Sequence, residues 1–321
     1  MYPLLFSKVL KEKVWGGREF EDFFKIPLPT GLSFGESWEV SAHPSGPSVV
    51  LQGPWKGKSL PELVKNYGGE LLGTVDPRYQ KRFPLLIKYL DIHDRLSVQV
   101  HPEDEYALLH EKEWGKSECW YVLKASSDAQ LILGLEPGID RETFRRKSQN
   151  RDWEGLFHVV SVHEGDFIHI PPGTVHASLQ GSILICEVQQ NSDTTYRIYD
   201  FDRLDNGTMR PLHLEKALDV INFTHHPQTI SRSHRTANKI RGALWETLVK
   251  DPHYQVAHLT ISGDWEDPES SVFHIHSILE GEGIVKSEQG EWSVQAGQTW
   301  LIPAQVSTFW RGELKILRSW V

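Results

Sequence analysis

The chain has 321 residues, 39% of them hydrophobic and 24% charged, with 12 Trp and 13 Phe, which excludes disorder and admits two domains of ordinary size. Lys and Arg number 34 against 43 Asp and Glu, and the net charge of -9 argues against sequence-independent binding of nucleic acid or anionic lipid. Cys119 and Cys186 are too few for a disulfide framework and lack C-x-x-C spacing. With no signal-like start and no run near 20 apolar residues, a cytoplasmic protein without a membrane segment is expected.

In chain order, the first clear element is a helix over Ser59 to Tyr67, opened by a Ser cap with Leu60 and Leu63 on one face. A strand over Arg95 to His101 follows, then a helix over Asp104 to Glu113. Short apolar or alternating runs at Cys119 to Lys124, Ala129 to Leu133, His158 to Val162, Phe167 to Ile170 and Ile183 to Gln189 read as strands. Helices over Arg141 to Gln149 and Leu214 to Phe223 complete this half, and His225-His226-Pro227 marks a break. The polar stretch Pro227 to Lys239 carries no strand pattern and is the expected linker. Strands resume at Gln255 to Ile261, Val272 to Leu279, Gly283 to Ser287 and Thr299 to Ile302. Many short strands and few helices make the chain mainly β.

An internal repeat relates the two halves. Val162 to His176 aligns without gaps to Val294 to Thr308, an offset of 132, with Gly165 on Gly297 and Pro171 on Pro303. Upstream, Trp120 to Ala125 aligns to His276 to Gly281, an offset of 156, and the difference is absorbed by the segment around Glu136 to Leu156.

The first copy, Gly165, five residues, Pro171-Pro172-Gly173, two residues and His176, fits the second motif of the cupin barrels, in which glycine and proline punctuate a strand and the His projects into the barrel mouth. Two jelly-roll barrels of this type are therefore expected, a bicupin with an elaborated unit at 1–226 and a reduced one at 227–321. Alternation along Leu96 to His101 puts Ser97, Gln99 and His101 on one face and Leu96, Val98 and Val100 on the other. Lys116 and Glu118 share a face of the following strand.

Gln99, His101, Glu118 and His176 can thus converge on one cation. Two imidazoles, a carboxylate and an amide oxygen suit Zn2+, with Mn2+, Fe2+ and Co2+ compatible by ligand type. In the second copy the places of Gly173 and His176 hold Gln305 and Thr308, so that barrel is expected to lack metal ligands. His274 and His276 align with Glu118 and Trp120 and read as surface or packing residues.

The chain resembles the class I, zinc-dependent mannose-6-phosphate isomerases in their short bacterial form. The likeness runs through Val14 to Gly17, Gly35 to Glu39 with His43-Pro44, Phe83 to Lys88, the string Ser97-Val98-Gln99-Val100-His101-Pro102, and Asn191-Ser192-Asp193-Thr194-Thr195-Tyr196-Arg197. The resemblance implies the same four ligands, Arg197 and Lys116 in the active site, and Ser97, Lys88, Glu36 and Glu187 lining a sugar-phosphate pocket with Trp15 nearby. Where many members carry His-Lys-Pro-Glu this chain has Gly115-Lys116-Ser117-Glu118, so that family histidine has no counterpart. Ser178 stands where Tyr is common, and the helical domain of longer members is absent.

The resemblance implies interconversion of mannose 6-phosphate and fructose 6-phosphate through a cis-enediolate, which needs charge stabilisation by a metal and a side chain to move the proton. Lys116 is a candidate for proton transfer or a counter-charge to Glu118. Arg197, always protonated, suits orientation and charge stabilisation. The alternatives are isomerisation of another hexose phosphate and a sugar-phosphate-binding bicupin without turnover. His93, His158, His163 and His169 read as structural or surface residues. No interface pattern stands out, and a monomer is expected.

Overall fold

The computed structural model describes residues 1–79, 82–205, 207–224, 227, 229–230 and 235–321. Two sheets built from the first half face each other. The larger runs in the order Thr229–Ile230, Phe167–Ile170, Glu118–Ala125, Ile183–Gln190, Leu85–Ile92, Val9–Gly17, Phe34–Val40. The smaller runs Tyr196–Tyr199, Val98–Val100, His176–Gln180, Gln130–Leu135, Phe157–Ser161. The second half forms one long curved sheet, Leu4–Leu5, Thr299–Ile302, His274–Ser287, Thr308–Trp320, Gln255–Asp267, Ala243–Lys250, Asn238–Ile240, with Gly290–Gln295 beside His274–Ser287.

Strand alternation distributes side chains between four hydrophobic clusters. Along Glu118–Ala125, Trp120 and Val122 point into the first sandwich, while Cys119, Tyr121 and Leu123 point out. The outward face is buried too, against Tyr254, Val256, Phe273, Ile275 and Leu317 of the second half. A sheet covered on both faces reads as a continuous apolar run, which is why its strands are legible without clean alternation. Both cysteines are buried and free in it.

The helix over Arg141–Gln149 has the expected bounds, and Leu60–Leu72 begins with a capping box between Ser59 and Glu62 and runs past the expected end through a kink at Tyr67. The helices beginning at Asp104 and Leu214 stop short, at His110 and Val220.

One expectation is corrected. The stretch Pro227 to Lys239 is not free of strands: Thr229–Ile230 pairs with Phe167–Ile170, and Asn238–Ile240 pairs with Ala243–Lys250. Edge pairing uses backbone N–H and C=O groups, so a polar segment joins a sheet without an apolar signature. His225, His226, Gln228 and 231–234 lie outside the described residues. Leu4–Leu5, which carries no repeat signal, pairs with Thr299–Ile302 and so crosses to the second half's sheet. Among the described residues no helix is long and apolar enough to cross a membrane.

Candidate active site

Strand registers bring the sequence-distant candidates together. Gln99 is paired with His176 on one side and with Arg197 on the other, so three adjacent strands present these side chains in a row. From the facing sheet, Glu118 enters beside them on a strand whose partner register sets Glu118 against Ile170. His176 Nε2 lies 3.1 Å from Glu118 Oε1, and His101 Nε2 lies 3.5 Å from Glu118 Oε2. Gln99 Nε2 is 3.1 Å from His176 Nε2.

All three ionisable members are buried, with His101 1%, Glu118 0% and His176 1% exposed. Each imidazole is oriented from behind. His101 Nδ1 donates to the carbonyl of Thr194 at 2.9 Å and His176 Nδ1 donates to that of Thr174 at 3.0 Å, which leaves both Nε2 atoms facing inward as bases. The turn that delivers His176 needs Gly173 at φ 84°, where an added Cβ would meet the Val220 carbonyl at 2.9 Å.

Lys116 stands within this cluster rather than at its rim. Its Nζ is 2.8 Å from Glu118 Oε2 and 3.2 Å from His101 Nε2. Burial, with Lys116 beside it, drives His101 down to about 3. Burial opposes ionisation of Glu118, but Lys116 and His101 outweigh it and hold the carboxyl well below the usual range. Neutral imidazoles and an ionised carboxylate are the states that metal ligation requires.

The cluster adjoins, through Gln99 and Lys116, a cleft of about 250 Å³. Lys116 and Gln99 reach it, and Trp15, Glu36, Lys88, Ser97, Glu187 and Arg197 line it, so every sequence-chosen residue of the pocket borders the same space. Lys88 Nζ lies 3.3 Å from Glu187 Oε2, and Trp120 Nε1 donates to Glu187 Oε1 at 2.9 Å. Glu36 accepts from Trp38 Nε1 at 2.7 Å and pairs with Lys13 at 2.9 Å. Burial works against its charge, but Lys88 and Lys13 prevail and lower it to about 2. Gly35 packs against Trp15, where a Cβ would meet the indole at 2.5 Å.

Sequence reasoning missed Lys13, Arg210 and His213, which also line the cleft. Arg210 is held by a two-point contact with Asp200, at 2.7 and 2.6 Å, and no spacing in the sequence announces it. Asp193 and Thr195, likewise in the lining, belong to the Asn191 to Arg197 string already singled out.

The phosphomannose isomerase type I catalytic-domain family model matches residues 4–123. A probable mannose-6-phosphate isomerase of Bacillus subtilis, GmuF, is 40% identical over 311 residues, covering 96% of this chain and 95% of its own. The chain belongs to the type I phosphomannose isomerase family.

A mannose-6-phosphate isomerase of Streptococcus mutans is 37% identical over 322 residues, covering 99% of this chain and 98% of its own. The crystal structure of the Bacillus subtilis mannose 6-phosphate isomerase superposes with a TM-score of 0.91 at 37% identity over the whole of both chains. A mutant of the Salmonella typhimurium phosphomannose isomerase, at 15% identity and a TM-score of 0.79 over 100% of this chain and 99% of its own, shares the fold. The family's mainly β cupin architecture accounts for the facing sheets that deliver the cluster.

Proposed function

We propose that this chain interconverts mannose 6-phosphate and fructose 6-phosphate at the cleft above His101, Glu118 and His176. The observation that carries the reading is a buried His-Glu-His cluster joined through Gln99 and Lys116 to a polar cleft in a chain of this family. A cation fits there. Glu118 is wholly buried, with Oε2 beside the Lys116 ammonium at 2.8 Å and Oε1 facing the inward Nε2 of His176 at 3.1 Å, and a buried carboxylate oxygen met only by the base nitrogen of an imidazole is costly unless a cation lies between them. Gln99 completes the set, since rotating its amide half a turn offers the oxygen. Two imidazoles, a carboxylate and an amide favour Zn2+. When bound, such an ion supplies Lewis-acid stabilisation of charge developing on the substrate oxygens.

The chain's own residues do the rest. Arg197 and Arg210 present guanidinium groups that suit the phosphate. Burial, then Arg210, lowers Arg197 from its ordinary value, yet a guanidinium stays charged at working pH, so Arg197 orients and stabilises. Glu36, Lys88, Glu187 and Ser97 offer acceptors and donors to sugar hydroxyls, with Trp15 and Trp120 as walls. Lys116 Nζ reaches both the ligand cluster and the cleft, and we assign it the proton carried between C2 and C1. Its contacts with Glu118 and His101 equally support a counter-charge role.

The test is conversion of mannose 6-phosphate to fructose 6-phosphate by metal-loaded protein beside chelated and His176→Ala samples. Turnover lost in both controls is expected. A loaded protein with a full equivalent of metal and no turnover would overturn the isomerase reading and leave a binding protein.

A further inference from the structure

The two halves are related in register as well as in sequence. In the first, Glu118 pairs with Ile170, Trp120 with Ile168 and Gln99 with His176. In the second, His274 pairs with Ile302, His276 with Trp300 and Asp267 with Thr308. His274 therefore holds the place of Glu118, His276 that of Trp120, and Asp267 that of Gln99. Of the two readings given for these histidines, surface or packing, burial selects the second. His274 and His276 are 1% and 0% exposed and share a strand face with Ile278 of the second half's core, while Ile275 and Leu279 face the first half.

These two imidazoles meet Asp267, which is 3% exposed. Asp267 Oδ2 lies 2.7 Å from His274 Nε2 and 3.6 Å from His276 Nε2. Among the described residues neither ring nitrogen of His276 has a hydrogen-bond partner. A fully buried imidazole with both nitrogens unpaired forfeits its hydration without return, and native structures seldom tolerate this unless something else meets the group. Asp267 and Thr308 line a cavity of about 430 Å³.

We propose that the second half holds its own divalent transition-metal site, ligated by Asp267 Oδ2, His274 Nε2 and His276 Nε2. Two imidazoles and one carboxylate on neighbouring strands form a three-point ligand set that leaves positions for water. Burial, then Arg318, lowers His274, and burial, then His274, lowers His276 well below the usual imidazole range. Burial opposes the charge of Asp267, but His274 and Arg318 outweigh it and keep the carboxyl ionised.

Arg318 distinguishes this site from the first. Its Nη1 is 2.6 Å from Asp267 Oδ1, and it stands where the first half has Glu187, since Arg318 pairs with His276 as Glu187 pairs with Trp120. It engages Oδ1 and leaves Oδ2 to the two imidazoles, but its fixed positive charge opposes a cation. The second site is therefore weaker than the first. The proposal replaces the expectation that this half lacks metal ligands and is independent of the isomerase reading.

The test is a Zn2+ titration of the chelator-stripped full chain in competition with a chromophoric chelator, with native mass spectrometry as the count. Two equivalents per chain are expected, the second bound more weakly, and one equivalent in the His101→Ala/His176→Ala variant. A His274→Gln/His276→Gln variant should hold one equivalent and retain isomerase activity. One equivalent in the parent chain with none in His101→Ala/His176→Ala would overturn the proposal, whether or not the second-half variant folds. So would an extra equivalent that persists when all four histidines are replaced.

Discussion

Ser117 Oγ donates a hydrogen bond to Asp251 Oδ2 at 2.8 Å, tying the residue beside Glu118 to the second half of the chain. His169 Nε2 donates to the same oxygen at 3.0 Å, and the His253 N–H donates to Oδ1 at 2.8 Å. Asp251 thus braces the strand end that carries Glu118, although it is remote from the cleft in sequence. Groups behind metal ligands commonly change affinity by roughly 10- to 100-fold when removed. Asp251→Ala should weaken metal binding toward the lower end of that range in chelator competition, with a smaller loss of kcat at saturating metal. Unchanged affinity would show the bridge to be only a contact between the two halves.

Lys88 is enclosed between Glu187 and Glu36, and although burial opposes its charge the two carboxylates raise it above the ordinary lysine value. Removing one partner of a buried ion pair leaves an uncompensated charge, a loss of about 3–5 kcal/mol. Lys88→Ala should therefore lower the urea midpoint by that equivalent, besides any effect on substrate binding. A midpoint equal to that of the parent chain would contradict the burial of this pair.

Asp91 accepts the Glu19 N–H at 2.6 Å, yet burial prevails and raises its carboxyl from 3.8 to about 6. The folded state then binds the proton more tightly than the unfolded state. The resulting stabilisation is complete below pH 3.8 and is lost as pH rises through about 6. Asp91→Asn should flatten the stability curve across that window and raise stability at pH 7 by roughly 1–3 kcal/mol. Thermal unfolding at half-unit pH steps measures this, and parallel curves for the two proteins would refute it.

Gln305 occupies the place of Gly173 and keeps a left-handed backbone, φ 58° against 84°. A non-glycine residue there costs roughly 1 kcal/mol. Gln305→Gly should raise stability by up to about 1 kcal/mol, whereas Gly173→Ala should lower it and disturb His176, because the space at Gly173 is closed by Val220 and Asn222. Denaturant titration of both variants distinguishes them, and equal effects in one direction would contradict the shared turn geometry.

Much of the site is legible in the chain because its parts are local. The Gly165 to His176 turn and the Ser97 to Pro102 string are short patterns with a fixed strand period, and alternation suffices to say which residues share a face. Arg210 and Asp251 are not legible. Arg210 reaches the cleft only because Asp200 holds its guanidinium, and Asp251 acts across an interface between strands far apart in the chain. Neither position has a periodicity or spacing that singles it out.

The amino-acid sequence by itself determined the mainly β class, the duplication and its register, and the residues able to meet a cation, since each follows from local spacing. Tertiary structure decided what shares a space. Strand pairing put His274 and His276, which the sequence left as surface or packing residues, inside the second half, set Lys116 beside His101 and Glu118, and brought Asp267 to the two histidines. Such meetings depend on which strands pair and which faces are covered, and those are settled by the burial of the whole chain rather than by any segment of it.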